Sequence, residues 1–417
     1  MTVEISSSPP LPPPTYFWLK FPPPTYFPAA YPNAFLWFKV NVYLLSKYCL
    51  LAGFIKLALG DQHSMILRQD GSVWSTAISL RGHRLVPSVR NHFTEVFPNG
   101  VVAVAAGTGF SMVLKQDGSV WGMGRNCYGQ LGDGTRDKKT SFGFVQMIPG
   151  AKTVSVGDSH SMVLTQEGAV CITGWNKYGQ IGDGSTTGTS KFMVVISTGA
   201  EAVAAGDTHS MILKRDGSVW VTGRNNNGQL GDGFSTDKTS FVKVMSSDVT
   251  ELAAGSCHSM VLKQDGSVWT VGGNEYGQLG DGSRADKYNY VEVISEVAKA
   301  IAAGSRHSLV LKEDGSVWAT GYNEYGQLGD GRKTNLKVFV SVISHGAQSI
   351  AAGAFHSMVV KEDGSVWATG SNKYGQFGDG SRTFENKFVR LAPLVNGMRL
   401  DIIVCTCLAS TLYSCAI

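Results

Sequence analysis

Along most of the chain, apolar runs of five or six residues alternate with glycine-rich or polar joints. "VAVAAG", "HSMVLK", "SVWATG" and "FVKVM" are typical runs. Runs this short, β-branched and partly alternating, predict strands rather than helices. No stretch of ten or more residues carries a helical period, which excludes a helical solenoid. The step from "HSMVLK" to "SVW" passes through Asp-Gly, the pair suited to positive φ, and predicts a type I′ hairpin.

The pattern recurs. The "HSM(V/I)L" phrase falls at His63, His160, His209, His258, His307 and His356, with Phe110 in the same slot, so the steps are 47, 50, 49, 49, 49 and 49 residues. Seven positions after each slot comes an acidic residue followed by Gly: Asp70, Asp117, Glu167, Asp216, Asp265, Asp314 and Asp363. Next is a large apolar slot holding Trp74, Trp121, Cys171, Trp220, Trp269, Trp318 and Trp367. An "NxYGQLGDG"-like phrase then follows in six of the seven units. A four-stranded unit of this length cannot bury both faces alone, and seven such sheets set radially cover one another while leaving only short edges. The expected fold is all-β, a seven-bladed β-propeller over residues 53–395.

The phrases "AAGxxHSMVLK", "DGSVWATG" and "NxYGQLGDG" at this period resemble the regulator-of-chromosome-condensation repeat family. The resemblance covers more than four-fifths of the chain and implies a seven-bladed propeller. As one alternative it also implies a role as guanine-nucleotide exchange factor for a Ran-type small GTPase, the activity of the founding members. Those members use a wedge inserted in one blade, for which the even spacing leaves no room. Other relatives sit within HECT-type ubiquitin ligases, or clamp a β-lactamase through one loop face.

The ends depart from the repeat. Residues 1–33 hold PPPTYF twice and read as a Pro-rich leader, either unstructured or an extended arm for an aromatic groove. Residues 34–52 are an apolar lead-in; Lys39, Lys47 and Lys56 leave no uncharged window long enough for a spanning helix. Unit one loses the GQLGDG phrase in "STAISLRGHRLVPSVRNHF" and is expected to carry an irregular loop. Residues 396–417 form a tail whose "LDIIVCTCLA" could supply a closing strand.

Composition adds exclusions. Gly is 50 of 417 residues without a three-residue period, which means many turns and not collagen. A net charge of +4 is too mild for bulk attraction to nucleic acid. Seven cysteines without a CxxC pair suit free thiols better than disulfides or zinc. No metal, cofactor or small-molecule substrate is expected, and the chain is read as a monomer. The cytoplasm is the default compartment; the nucleus is the alternative, although no dense basic run marks an import signal.

Recurring His, Ser and Asp superficially offer a catalytic triad, but a triad is needed once, whereas a residue present in every blade answers a need of every blade. The His residues, the Trp slot and Asp216, Asp265, Asp314 and Asp363 are therefore assigned to structure, and no catalytic residue is expected. The glycine phrase lacks the Lys-Ser/Thr and the strand-to-helix context of a phosphate loop. Function is expected where the units differ, in the pair before the His slot and around the Asn. Arg125, Trp175, Lys177, Arg224, Asn226, Glu275, Arg306, Tyr322, Glu324, Phe355 and Lys373 stand there, several of them of hot-spot type. A second set of cations follows each GDG, including Arg136, Lys138, Lys139, Lys191, Lys238, Arg284, Lys287, Arg332, Lys333, Arg382 and Lys387. They could draw an acidic protein or chromatin. The reading is a non-enzymatic scaffold for another protein, with the small-GTPase exchange factor as alternative.

Overall fold

The computed structural model describes residues 56–76 and 91–391. The Pro-rich leader, the apolar lead-in and the C-terminal tail lie outside the described residues. Within them the strands form seven four-stranded antiparallel sheets, each made of four consecutive strands, and no helix. Blade five is representative, with strands Val249–Ala254, His258–Lys263, Val268–Gly272 and Lys287–Ile294 in spatial order. The sheets stand radially as a seven-bladed β-propeller. The AAG ends of the first strands line an axial channel.

The channel wall explains the glycine of "AAG". A Cβ on Gly206 would stand 2.3 Å from His209 Cε1 and 2.6 Å from the Gly255 carbonyl of the next blade. The same double contact recurs around the axis and ends with Gly353 against the Gly60 carbonyl, so blade seven meets blade one directly. The Ala354 amide donates to Gly60 O at 3.3 Å across that junction.

The hairpin differs from the sequence expectation. Gly118 N bonds Lys115 O at 3.0 Å, and Gly118 has φ 81°, but Asp117 is not among the non-glycine residues with positive φ. This is a type I turn closed by a left-handed glycine, not type I′. The aspartate instead fixes the residue that follows the turn. Asp117 Oδ1 accepts the Ser119 amide at 2.9 Å, as Asp216, Asp265, Asp314 and Asp363 do for their own serines.

Blade one keeps all four strands, but its third and fourth are short, Val73–Ser75 and Thr94–Phe97. The segment between Thr76 and Asn91, which contains most of its irregular loop, lies outside the described residues.

Candidate functional site: the loop face

The repeat residues are consumed by bonds between blades. His160 Nε2 lies 2.9 Å from Ser210 Oγ of the next blade, and Ser210 Oγ donates to the Gln180 carbonyl of the preceding one at 2.7 Å. Because the serine proton is used on the carbonyl, the histidine is the donor to Ser210, which fixes its proton on Nε2. His63, His209, His258 and His307 meet Ser111, Ser259, Ser308 and Ser357 in the same way, and His356 closes the circuit on Ser64 at 2.9 Å. Burial holds these imidazoles neutral, with pKa values lowered to about 4 for His63 and His160 and about 3 for the other four. A side chain that is buried and locked between blades is a joint, not a catalytic base.

The Trp slot is likewise a joint. Trp220 and Trp269 belong to blades four and five but pack on the cores of blades three and four. Trp121 and Trp318 repeat the arrangement, and Cys171 takes the slot in blade three. Each indole is also tied locally: Trp220 Nε1 donates to Ser218 Oγ at 3.1 Å, and Lys214 Nζ lies 4.0 Å from the ring centroid. Trp367 has the same Ser and Lys partners, whereas the buried Trp74 has Arg68 4.8 Å from its ring.

The GQLGDG phrase builds turns and does more. Its preceding Asn is a hub: Asn274 Oδ1 accepts the Leu279 amide at 3.1 Å, and Asn274 Nδ2 donates to Asp281 at 2.9 Å. The loop then reaches the next blade's outer strand, where Gly282 N bonds Lys337 O at 2.8 Å. Gly280, at φ 77°, rests on Phe339 of that strand so closely that a Cβ would stand 2.5 Å from the ring. This clasp between neighbours was not legible, because it joins residues of different units. Several of the cations that follow the GDG phrases serve this loop: Lys139, Lys238 and Lys287 pair with Asp133, Asp232 and Asp281 at 2.8, 3.1 and 3.2 Å. Although burial opposes its charge, the Lys139 and Thr135 bonds hold Asp133 down at about 2. Arg136, Lys138, Arg284, Arg332 and Lys333 stay exposed.

The residues that vary between units gather at one end of the disc. The backbone brings the two variable loops together, with Arg125 N on Gly109 O, Trp175 N on Ser159 O, Arg224 N on Thr208 O and Tyr322 N on Arg306 O, all between 2.8 and 3.0 Å. Two rows of aromatic rings and cations result. Across blades two to four, the Arg125 guanidinium lies 5.2 Å from Tyr128, Tyr128 stacks on Trp175 at 5.3 Å, Trp175 meets Tyr178 edge-on at 5.3 Å, and Arg224 covers Tyr178 at 4.9 Å. Across blades five to seven, Arg306 covers Tyr276, which meets Tyr322; Phe355 meets Tyr322 and Tyr325. Tyr322 donates to Glu324 at 2.8 Å. Lys177, Asn226, Glu275 and Lys373 stand exposed at the same loop positions. The tyrosines Tyr128, Tyr178, Tyr276 and Tyr325 were missed by sequence reasoning, since they recur like packing residues. Asn227 takes that place in blade four and separates the two rows.

Asp61 and Asp207 line the channel, and the charge of Asp158 reaches both. Burial pushes Asp207 up to about 6, against a bond to Ser256 and the charge of Arg306, with Asp158 and Asp61 adding to the rise. Among the described residues no His, Cys, Asp and Glu group has metal-binding geometry.

The comparisons with known proteins agree with this architecture. Residues 191–412 match the RCC1-like domain, and residues 101–130, 151–180 and 117–164 match the regulator of chromosome condensation (RCC1) repeat. The chain belongs to the RCC1-like family. No curated protein matches it. Among solved structures, human WBSCR16 shares the fold with a TM-score of 0.68 at 22% identity, over 77% of this chain and 93% of that one. Prp20p of Saccharomyces cerevisiae gives a TM-score of 0.65 at 20% identity, over 74% and 84%. The same yeast protein in its complex with Kap60 gives 0.66 at 19%, over 77% and 81%. Identities this low carry the fold alone. In this RCC1-like chain, function has to be argued from the loop face.

Proposed function

We propose that the propeller is a non-enzymatic interaction module that presents its loop face to another protein. One observation carries this reading: the recurring His, Ser, Trp and Asn residues are spent on holding blades together, while the residues that differ gather at one end and, with the recurring tyrosines, form two half-buried rows of aromatic and cationic side chains. Rings and arginines on a rigid frame lose little conformational entropy on binding and dominate the energetics of interfaces. The test is capture of partners from cell extract by the full chain and by a variant with Arg125→Ala, Trp175→Ala, Arg224→Ala and Tyr322→Ala, both shown folded by circular dichroism. Loss of a specific partner in the variant supports the reading. Identical partners for both chains would refute the choice of face.

A second reading, exchange of nucleotide on a Ran-type small GTPase, is favoured by the likeness to Prp20p, whose structure was described with its binding to Gsp1p and histones. If the captured partner is such a GTPase, acceleration of labelled-nucleotide release by the full chain decides for this reading. No acceleration at micromolar chain leaves the scaffold.

A further inference from the structure

Building on the loop-face reading, we infer that the row across blades two to four is a docking groove for an acidic, proline- or aromatic-containing segment of a partner protein. The row has a guanidinium at each end, Arg125 over Tyr128 and Arg224 over Tyr178, and three rings between them. Beside it lies a cavity of ≈ 370 Å³ lined by Tyr128, Trp175, Arg136, Lys177, Thr186 and Gly188. Its two cations, Arg136 and Lys177, are exposed and form no ion pair with a described residue. The single carboxylate bonded within the row is Asp158, at 3.5 Å from Arg125, long enough to yield to a better acceptor.

Charge complementarity selects the occupant. Guanidinium groups take carboxylates in a planar, two-point fashion, and a floor of rings accepts Pro or Phe between them. The rings are already engaged with one another, Tyr128 on Trp175 at an interplanar angle of 29°, so the row lacks an open slot between parallel faces into which a nucleic-acid base would stack. The other half of the face carries Glu275, Glu324 and Lys373 at the positions that hold Cys127, Lys177 and Asn226 here, and Glu324 is tied to Tyr322. Those two carboxylates disfavour an acidic chain there relative to blades two to four, where none stands at these positions.

The experiment uses the full chain and a dye-labelled synthetic peptide, three tandem copies of Glu-Pro-Phe-Glu, followed by fluorescence anisotropy. A peptide with Gln for every Glu and a single-stranded oligo-dT of similar length serve as comparators. The Glu peptide is expected to bind at least about tenfold more tightly than the Gln peptide, and to weaken as salt rises. Arg125→Ala with Arg224→Ala should weaken it about 30-fold and Trp175→Ala about tenfold. Arg332→Ala with Lys333→Ala, which removes the same charge from the other half, should change it less than about twofold. Equal affinity for the two peptides, or equal losses in the two double variants, would overturn the inference. Tighter binding of oligo-dT through the same arginines would overturn it in favour of a nucleic-acid surface. Unchanged melting temperatures keep misfolding apart from lost binding. If the fourfold variant loses extract partners while the Glu peptide fails to bind the parent chain, the loop-face reading stands and only this inference falls.

Discussion

The junction between blades three and four and the junction between blades two and three use the same plan and differ in two parts. At the first, His160 bonds Ser210, Ser210 bonds Gln180 O, Trp220 packs on the core of blade three, Thr222 bonds Gly179 O at 2.8 Å, and Gly184 bonds Thr239 O at 2.8 Å. At the second, Phe110 replaces the histidine and Cys171 the tryptophan, while Ser161 to Gln130 O at 2.7 Å, Thr173 to Gly129 O at 3.0 Å and Gly134 to Ser190 O at 2.7 Å remain. The substitutions in blade three come as a set. Where blade four has Lys214, Asp216, Ser218 and Trp220, blade three has Thr165, Glu167, Ala169 and Cys171, and Thr165 Oγ1 accepts the Ala169 amide at 3.0 Å. A cation, a serine hydroxyl and an indole disappear together while the aspartate lengthens to glutamate, so the four act as one unit. The clasp is kept where the buried polar relay and the tryptophan can be given up.

Acid should break the comparison most. The six buried histidines are depressed to about 4 or 3 in the ring and return to about 6.5 when unfolded, so unfolding takes up protons below neutrality. Their contribution is whole above about pH 6.5 and is lost as pH falls towards 4. Three carboxyls oppose this: burial raises Asp207 to about 6, Glu251 to about 7, and Asp61 above the usual carboxylate range, so each regains stability as it protonates. Six groups outweigh three, and the loss between pH 7.5 and 5 should be on the order of 5 kcal/mol, enough to unfold a marginal domain. Melting temperature against pH checks it. Hydrogen exchange should rise last between blades two and three, where Phe110 has nothing to protonate; uniform opening would remove the distinction.

Truncation comes next in size. Trp220→Ala should cost about 3 kcal/mol, because it empties the packing on the core of blade three and removes the indole's bond to Ser218, whereas Cys171→Ala should cost about 1. Denaturant melts compare the two. Equal costs would mean that the tryptophan is a local hairpin feature, not a joint. The serines follow: Ser210→Ala leaves both His160 Nε2 and Gln180 O without partners and should cost about 2–3 kcal/mol, while Ser161→Ala strands only Gln130 O and should cost about 1.

The sequence made the ring legible because a 49-residue period is a property of single units, and so are the apolar alternation and the Asp-Gly joint. What joins units was not. No reading of one repeat shows that the Asn274 loop lands on the outer strand carrying Lys337, since that depends on how neighbouring blades are set; that a lysine neutralises the aspartate of its own GDG loop depends on how the loop folds back on itself. The type I′ expectation failed for a local reason: the glycine alone supplies the positive φ, and the aspartate instead accepts the serine amide two residues on. On the loop face, positions that vary pointed to Arg125, Trp175, Arg224 and Tyr322, whereas the recurring tyrosines that complete each row were hidden by their own regularity.

The smallest effect is also the sharpest test of the histidine relay. Phe110 is 1% exposed and sits over Gly107 as each histidine sits over its own glycine. Phe110→His should place a donor towards Ser161, whose hydroxyl already donates to Gln130 O and has lone pairs to spare. The new bond is worth about 1 kcal/mol, and the lost apolar burial is of similar size, so at pH 8 the variant should lie within about 1 kcal/mol of the parent. The balance is not preserved in acid. A seventh buried imidazole, neutral in the ring and protonated when unfolded, adds one more proton to the unfolding step, and the variant should fall behind the parent steadily below about pH 6.5. A pair of melting curves, one at about pH 8 and one at about pH 5.5, reads this directly: a gap that opens only at the lower pH assigns the acid sensitivity of the ring to its histidines, and a gap that stays constant moves it to the carboxylates of the clasp.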